Sequence, residues 1–212
     1  MSLQTVLAEI DPGWYAVAGE PVIEPALLAR ARGSALGERL LARWLLTAGH
    51  AGALLTPTPE REIGNEAVRW PRARLQPFVR DLGVLAFAPA IRAEVGRDTV
   101  RQLKQALGNS YLLALDRTVW DGRMDTQAAT RMNAAWRGAV SGGDPEHAIL
   151  FALLDSQGRS ELRSWEAQEA RALGEWAALL HPREDTKPDV AVLPAAQVRL
   201  LYEHHLGRAR SA

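Results

Sequence analysis

Few residues in this sequence combine the type and spacing that chemistry requires, and its five histidines are the first to weigh. His204 and His205 are adjacent, with Glu203 beside them. Neighbouring positions on a helix point about 100° apart, whereas ligands from one helix stand three or four residues apart. No further histidine lies at that spacing, so the pair reads as a solvated helix end whose charge suits the C-terminal dipole rather than as a metal site. His147 follows Asp144 and Glu146, but a Ser–His–Asp arrangement needs a nucleophile, and nothing in the spacing of Ser141 or Ser156 supplies one. His50 and His181 fall at expected helix ends. The run Gly33-Ser34-Ala35-Leu36-Gly37 is faintly like a nucleophile elbow, yet its serine is one place off and it lies in a helical pattern, where packing is the reading. No glycine-rich phosphate loop follows a strand. The sequence holds no cysteine, which removes thiolate chemistry, disulfides and Cys-ligated zinc or iron–sulfur sites. The expectation is no catalytic residue, no metal ligand and no cofactor.

What stands out instead is tryptophan, seven in 212 residues. Trp44, Trp136, Trp165 and Trp176 fall on apolar stripes and are expected in the core. Trp14 and Trp70 lie beside turns, with Tyr15 adjacent to the first. These three are candidates for anchoring a protein partner, against the commoner role of pinning a loop to the core. Charge is balanced overall, 25 basic against 25 acidic residues, so there is no general pull toward nucleic acid or an acidic membrane. It is uneven along the chain: residues 61–104 carry nine basic and five acidic residues, and residues 144–189 carry five basic and ten acidic. Such polarity suits docking between protein surfaces, with ordinary solvated helix faces as the plainer account. Arg69, Arg72 and Arg74 are the basic candidates for such an interface. No basic stripe interleaves with exposed aromatics, so nucleic acid is not expected as a partner.

The elements that must position these residues read as helices. Pro25 suits the first turn of a helix over about 26–48, with Leu27, Leu28, Ala31, Leu36, Leu40, Leu41, Trp44 and Leu45 as its apolar positions and Gly33 and Gly37 as points where it can split. Residues 49–72 are irregular: two X-Pro steps at Pro57 and Pro59 forbid a regular helix, and residues 67–70 allow at most an unpartnered short strand. From Arg72 the stripe Leu75, Phe78, Val79, Leu82, Leu85, Ala86 predicts a helix, which Pro89 ends and follows with another. Ile91, Val95, Leu103 and Leu107 continue, with a break at Gly96. Gly108-Asn109 is a C-cap signal before a helix carrying Tyr111, Leu112, Leu115 and Val119. Asp125 caps a helix through Met132 and Trp136. Asp144-Pro145-Glu146 opens a helix that is expected to stop near Gln157-Gly158. Ser160 would cap the next, through Trp165, Leu173, Trp176 and Leu180. A polar linker over 182–193 leads to a final helix from Pro194 to about Leu206.

The predicted fold is therefore mainly α, a compact orthogonal or antiparallel bundle of seven to eight helices with little or no sheet. It forms either one domain over residues 1–212 or one in which residues 1–72 make a distinct N-terminal lobe. The first ten residues have no basic region, and Glu9 interrupts their apolar stretch, so no signal peptide is expected. The longest apolar run, 84–91, is far short of the roughly 20 residues a membrane span needs. A cytoplasmic protein without direct membrane insertion is the expectation.

The segment Leu82-Gly83-Val84-Leu85-Ala86-Phe87-Ala88-Pro89-Ala90-Ile91-Arg92, followed by Arg101-Gln102-Leu103-Lys104-Gln105-Ala106-Leu107, resembles the central signature of the K-type accessory proteins of type III secretion systems (the YscK/SctK family). The likeness covers about residues 72–120. Read physically, it is a tight helix corner. Gly83 permits close approach, Pro89 turns the chain, Ile91 packs back toward Leu82 or Leu85, and Arg92 pairs with Asp81 or a C-terminal carbonyl. The resemblance implies a non-enzymatic adaptor at the inner face of the bacterial inner membrane. Its partners would be the cytoplasmic domains of the inner-membrane ring and the pods of the sorting platform. It carries no catalytic residue to transfer. A helical enzyme or ligand-binding domain without a linear motif, or a single-partner regulator or chaperone, is the alternative.

Overall fold

A computed structural model describes residues 3–16, 23–56, 70–140, 147–183 and 190–210. Its α-helices, in chain order, are α1 Leu3–Glu9, α2 Pro25–Arg32, α3 Ala35–Thr47, α4 Gly52–Leu55, α5 Arg72–Ala86, α6 Ala88–Ala93, α7 Arg97–Leu107, α8 Asn109–Leu115, α9 Thr126–Val140, α10 Ala148–Glu169, α11 Arg171–Leu179 and α12 Ala195–Arg210. A 3-10 turn spans Pro12–Tyr15, and there is no strand among the described residues. The chain is mainly α, as its periodicity requires. Among the described residues the expected seven or eight helices become twelve, because short pieces and breaks multiply the count. Residues 57–69, 141–146 and 184–189, which include Arg69, most of the 67–70 segment read as at most a short strand, the Asp144-Pro145-Glu146 start and half of the 182–193 linker, lie outside the described residues.

Two compact units emerge, one of Met1–Leu75 with Glu166–Lys187, the other of Gln76–Trp165 with Pro188–Ala212. In the first, α2 ends at Gly33 and α3 begins after Ser34, whose hydroxyl accepts from the Gly37 amide at 3.1 Å as an N-cap. A Cβ on Gly37 would meet the Ala31 carbonyl at 2.2 Å, so glycine lets the end of α2 lie against α3. The α3 row Gly37, Leu41, Leu45 is buried. Leu36, Leu40 and Trp44, expected on the same stripe, are exposed, as is Leu27 of α2. With apolar residues at 36, 40 and 44 as well as 41 and 45, α3 is greasy on more than one face, and only one of them meets α1, α2 and α4. The unit closes on α11, which packs against α4. Trp176 is fully buried there, and its indole donates to the Trp70 carbonyl at 2.8 Å. Glu175 accepts from the Leu54 amide at 2.8 Å, and the Leu179 carbonyl accepts from the Asp11 amide at 2.8 Å.

The second unit is organised by a crossing of α5 and α10. A Cβ on Gly83 would sit 1.9 Å from the Leu154 carbonyl, and one on Gly158 would sit 1.8 Å from the Val79 carbonyl. Reciprocal glycines thus let two helix backbones touch. Gly158, where the helix is expected to stop, lies instead mid-way along the continuous 22-residue α10. Ser160 is accordingly not an N-cap; its hydroxyl donates back to the Ser156 carbonyl at 3.3 Å. The break falls later, at Ala170, between α10 and α11. The expected stripe Leu75, Phe78, Val79, Leu82, Leu85, Ala86 is buried throughout, and Pro89 sits in the first turn of α6. Leu82 and Ile91 are both core. Val95 is not: it lies in the loop from α6 to α7 and is 93% exposed. Gly108 takes φ +53°, ending α7 and starting α8, which buries Tyr111 and Ala114 while Leu112 and Leu115 face outward. That helix stops at Leu115, short of Val119, where Asp116 turns the chain by accepting from the Thr118 amide and hydroxyl. Asp125 caps α9, accepting from the Ala128 amide at 2.8 Å.

Candidate functional site

The second unit gathers a polar cluster that no linear motif announces. Asp81, on α5 two residues before the crossing glycine, projects toward α8 and α12. Ser110, in the first turn of α8, donates its hydroxyl to Asp81 Oδ1. His205, on α12, places Nε2 2.9 Å from Asp81 Oδ2, with only 9% of its side chain exposed. Since a carboxylate only accepts, this contact puts a proton on Nε2. The imidazole also meets the Phe78 ring edge-on, centroids 5.4 Å apart, and Phe78, Tyr202 and Trp165 continue as an aromatic chain behind it. The expectation of a solvated pair at 204–205 is corrected for His205, which faces inward; its neighbour His204, a helical step of about 100° away, faces solvent.

A cleft of about 420 Å³ opens beside this cluster. Ser110, Asn109, His204 and Arg208 bring polar groups to it, and Leu113 and Leu200 contribute apolar wall. The carboxylate lies between hydroxyl and imidazole, so Ser110 has no imidazole to take its proton, and a Ser–His–Asp relay is not built. What the arrangement can do is hold: Ser110 keeps its acceptor lone pairs, and Asn109, His204 and Arg208 add donors around an apolar wall.

A second buried carboxylate serves the fold. Glu161, 1% exposed on α10, accepts from the Val192 amide at 2.9 Å, the Leu193 amide at 2.9 Å and the Gln157 side chain at 2.6 Å. Burial pushes its carboxyl above the usual range, and these three donors act against that shift. Gln157 also donates to the Val190 carbonyl at 3.1 Å. The pair fastens the segment that leads into α12.

The residues singled out from sequence as interface candidates turn largely inward. Tyr15 and Trp70 are 2% and 3% exposed, so neither ring is presented to solvent. Trp14 is half-buried and donates its indole to the His181 carbonyl at 2.8 Å, which pins the first turn to the end of α11. Arg74 stacks on Trp70, its guanidinium 4.2 Å from the ring centroid. Arg72 is tied to Glu9: its amide donates to the carboxylate at 2.6 Å and its guanidinium to the backbone carbonyl at 3.2 Å. Arg69 lies outside the described residues. Of the helix-corner residues, Arg92 bonds carbonyls, those of Ala88 and Trp120, both at 3.1 Å, while Asp81 is taken by Ser110 and His205. Trp136 is core as expected, donating to Glu94 at 2.8 Å.

No family model, no curated protein and no solved structure matches this chain. Among the described residues no helix is long and apolar enough to cross a membrane, and no group of three metal-capable side chains comes together.

Proposed function

We propose that this chain is a non-enzymatic adaptor of a type III secretion injectisome, joining the cytoplasmic domains of the inner-membrane ring to the pods of the sorting platform. What supports the reading is the role of the residues that carry the resemblance: Leu82, Gly83, Leu85, Phe87, Ala88 and Ile91 build the central corner of one unit and contribute packing, not reacting groups. A signature spent on rigidity suits a protein whose work is to hold neighbours at fixed geometry. In this reading it works at the cytoplasmic face of the inner membrane, with no cofactor and no nucleic acid. The test is co-purification with a ring cytoplasmic domain and a pod protein from the same secretion system at low salt. Retention of both is expected, and retention of neither refutes the adaptor role.

A second reading rests on the cleft beside Asp81. There the chain would bind a small amphiphilic ligand, its polar end on Ser110 and Asn109 and its apolar end on Leu113 and Leu200. A fragment screen by ligand-observed NMR, repeated on Ser110→Ala, decides it. Hits that compete for one site and weaken in the variant support this reading, and hits unaffected by the variant remove it.

A further inference from the structure

The outward face of α3 carries an exposed apolar row. Leu36, Leu40 and Trp44 recur every four residues and are 69%, 58% and 37% exposed. Such a row advances about 6 Å per step along one side of a helix. Arg39 and Arg43 form a parallel row, one position ahead of Leu40 and Trp44. Both are exposed, and neither has an ion-pair partner among the described residues. Trp44 is also held in place. Its indole N–H donates to the Trp14 carbonyl at 3.3 Å, and Trp14 is fixed in turn by the His181 carbonyl and an edge-on contact with His50, centroids 5.0 Å apart.

From these observations we infer that α3 is a docking surface for an acidic amphipathic helix of another protein. Aliphatic side chains of that helix would lie along Leu36, Leu40 and Trp44, and its flanking carboxylates would meet Arg39 and Arg43. Three features favour this occupant. An apolar row at four-residue steps is the ridge into whose grooves a second helix packs. Two unpaired guanidiniums beside it ask for carboxylates, which they bind bidentately. The indole N–H of the tryptophan is already bonded within the chain, so a partner meets a preorganised ring. A second copy of this chain is disfavoured, because pairing the same face on itself brings the two arginine rows together. A lipid surface is also disfavoured, because there a tryptophan N–H is left free for the wet interface. The inference concerns the first unit alone and stands even if neither ring nor pod protein binds.

The test uses the full chain and two stapled helical peptides with identical leucine positions, one flanked by glutamates and the other by lysines. Fluorescence anisotropy of the labelled peptides reads binding. We expect the glutamate peptide to bind and the lysine peptide to bind at least about tenfold more weakly. Leu40→Asp should weaken the glutamate peptide about tenfold or more, with an unchanged circular dichroism spectrum, since that side chain is exposed. The double variant Arg39→Glu/Arg43→Glu should reverse the preference. Failure of both peptides to bind, equal binding of the two, or indifference to Leu40→Asp would overturn the inference. So would sedimentation with phosphatidylserine vesicles, or a dimer in analytical ultracentrifugation, that Leu40→Asp abolishes.

Discussion

Glu161 shows how a single side chain can bind two parts of a unit and make their union depend on pH. Its carboxylate satisfies two consecutive backbone amides that otherwise have no acceptor, so Glu161→Ala should lower stability by about 1–3 kcal/mol in chemical denaturation. Burial raises its folded pKa, so over the interval between the ordinary glutamate value and the raised one the folded state binds more protons than the unfolded state. Stability from this group is therefore greatest at acid pH, falls as pH rises through that interval, and is flat above it. The stability difference between the native chain and Glu161→Gln should accordingly shift in favour of the native chain on acidification from neutrality. A difference that stays constant with pH would mean that the carboxylate is solvated. Asp81 makes a related case: His205→Ala leaves a mostly buried carboxylate with one donor fewer, and a loss of about 1–3 kcal/mol is expected in the same assay. Neither contact was legible in the sequence, because Asp81 and His205 are 124 positions apart. Arg72 carries the opposite lesson. Reversing the charges of Arg69, Arg72 and Arg74 together would also break the tie to Glu9, so lost binding in such a variant would not isolate an interface, whereas Arg39 and Arg43 have no ion pair to break among the described residues.

Among the elements, the crossing of α5 and α10 sets the strictest steric demand. Ala at either Gly83 or Gly158 forces backbones apart, and each variant should lose about 1–3 kcal/mol in a thermal or denaturant melt. A Cβ on Gly158 would also lie 3.1 Å from the Gly83 amide nitrogen, so the two changes act on one contact. The double variant should lose less than the sum of the two. An unchanged melt for both single variants would refute the crossing. The sequence marked Gly83 as a point of close approach but read Gly158 as a helix end. Glycine does both jobs, and only its neighbour in space tells them apart. The same limit explains α3, where periodicity found the apolar positions yet not which row is covered. Local signals did better: Pro25 begins α2, Asp125 caps α9, and Gly108 turns the chain, all effects of residues on their own backbone.

For the whole molecule, the division into two units is the feature with most consequence for experiment. The first unit takes Glu166–Lys187 from far along the chain, and Trp176, the most enclosed ring in it, donates to Trp70 from that stretch. A fragment of residues 1–75 expressed alone should therefore lack the dispersed amide spectrum of a folded domain, and adding the 166–187 peptide should restore part of it. A well-dispersed spectrum from the fragment alone would show that α11 is dispensable. The amino-acid sequence by itself determined the mainly helical class, several helix starts and stops, and the burial of Trp136, Trp165 and Trp176, though not the exposure of Trp44, because propensity, capping and amphipathic period act within a few residues. Which glycine joins two helices, which histidine turns in to meet Asp81, and which row of α3 stays in solvent were decided only by tertiary packing, since each depends on what a distant stretch of chain places against it.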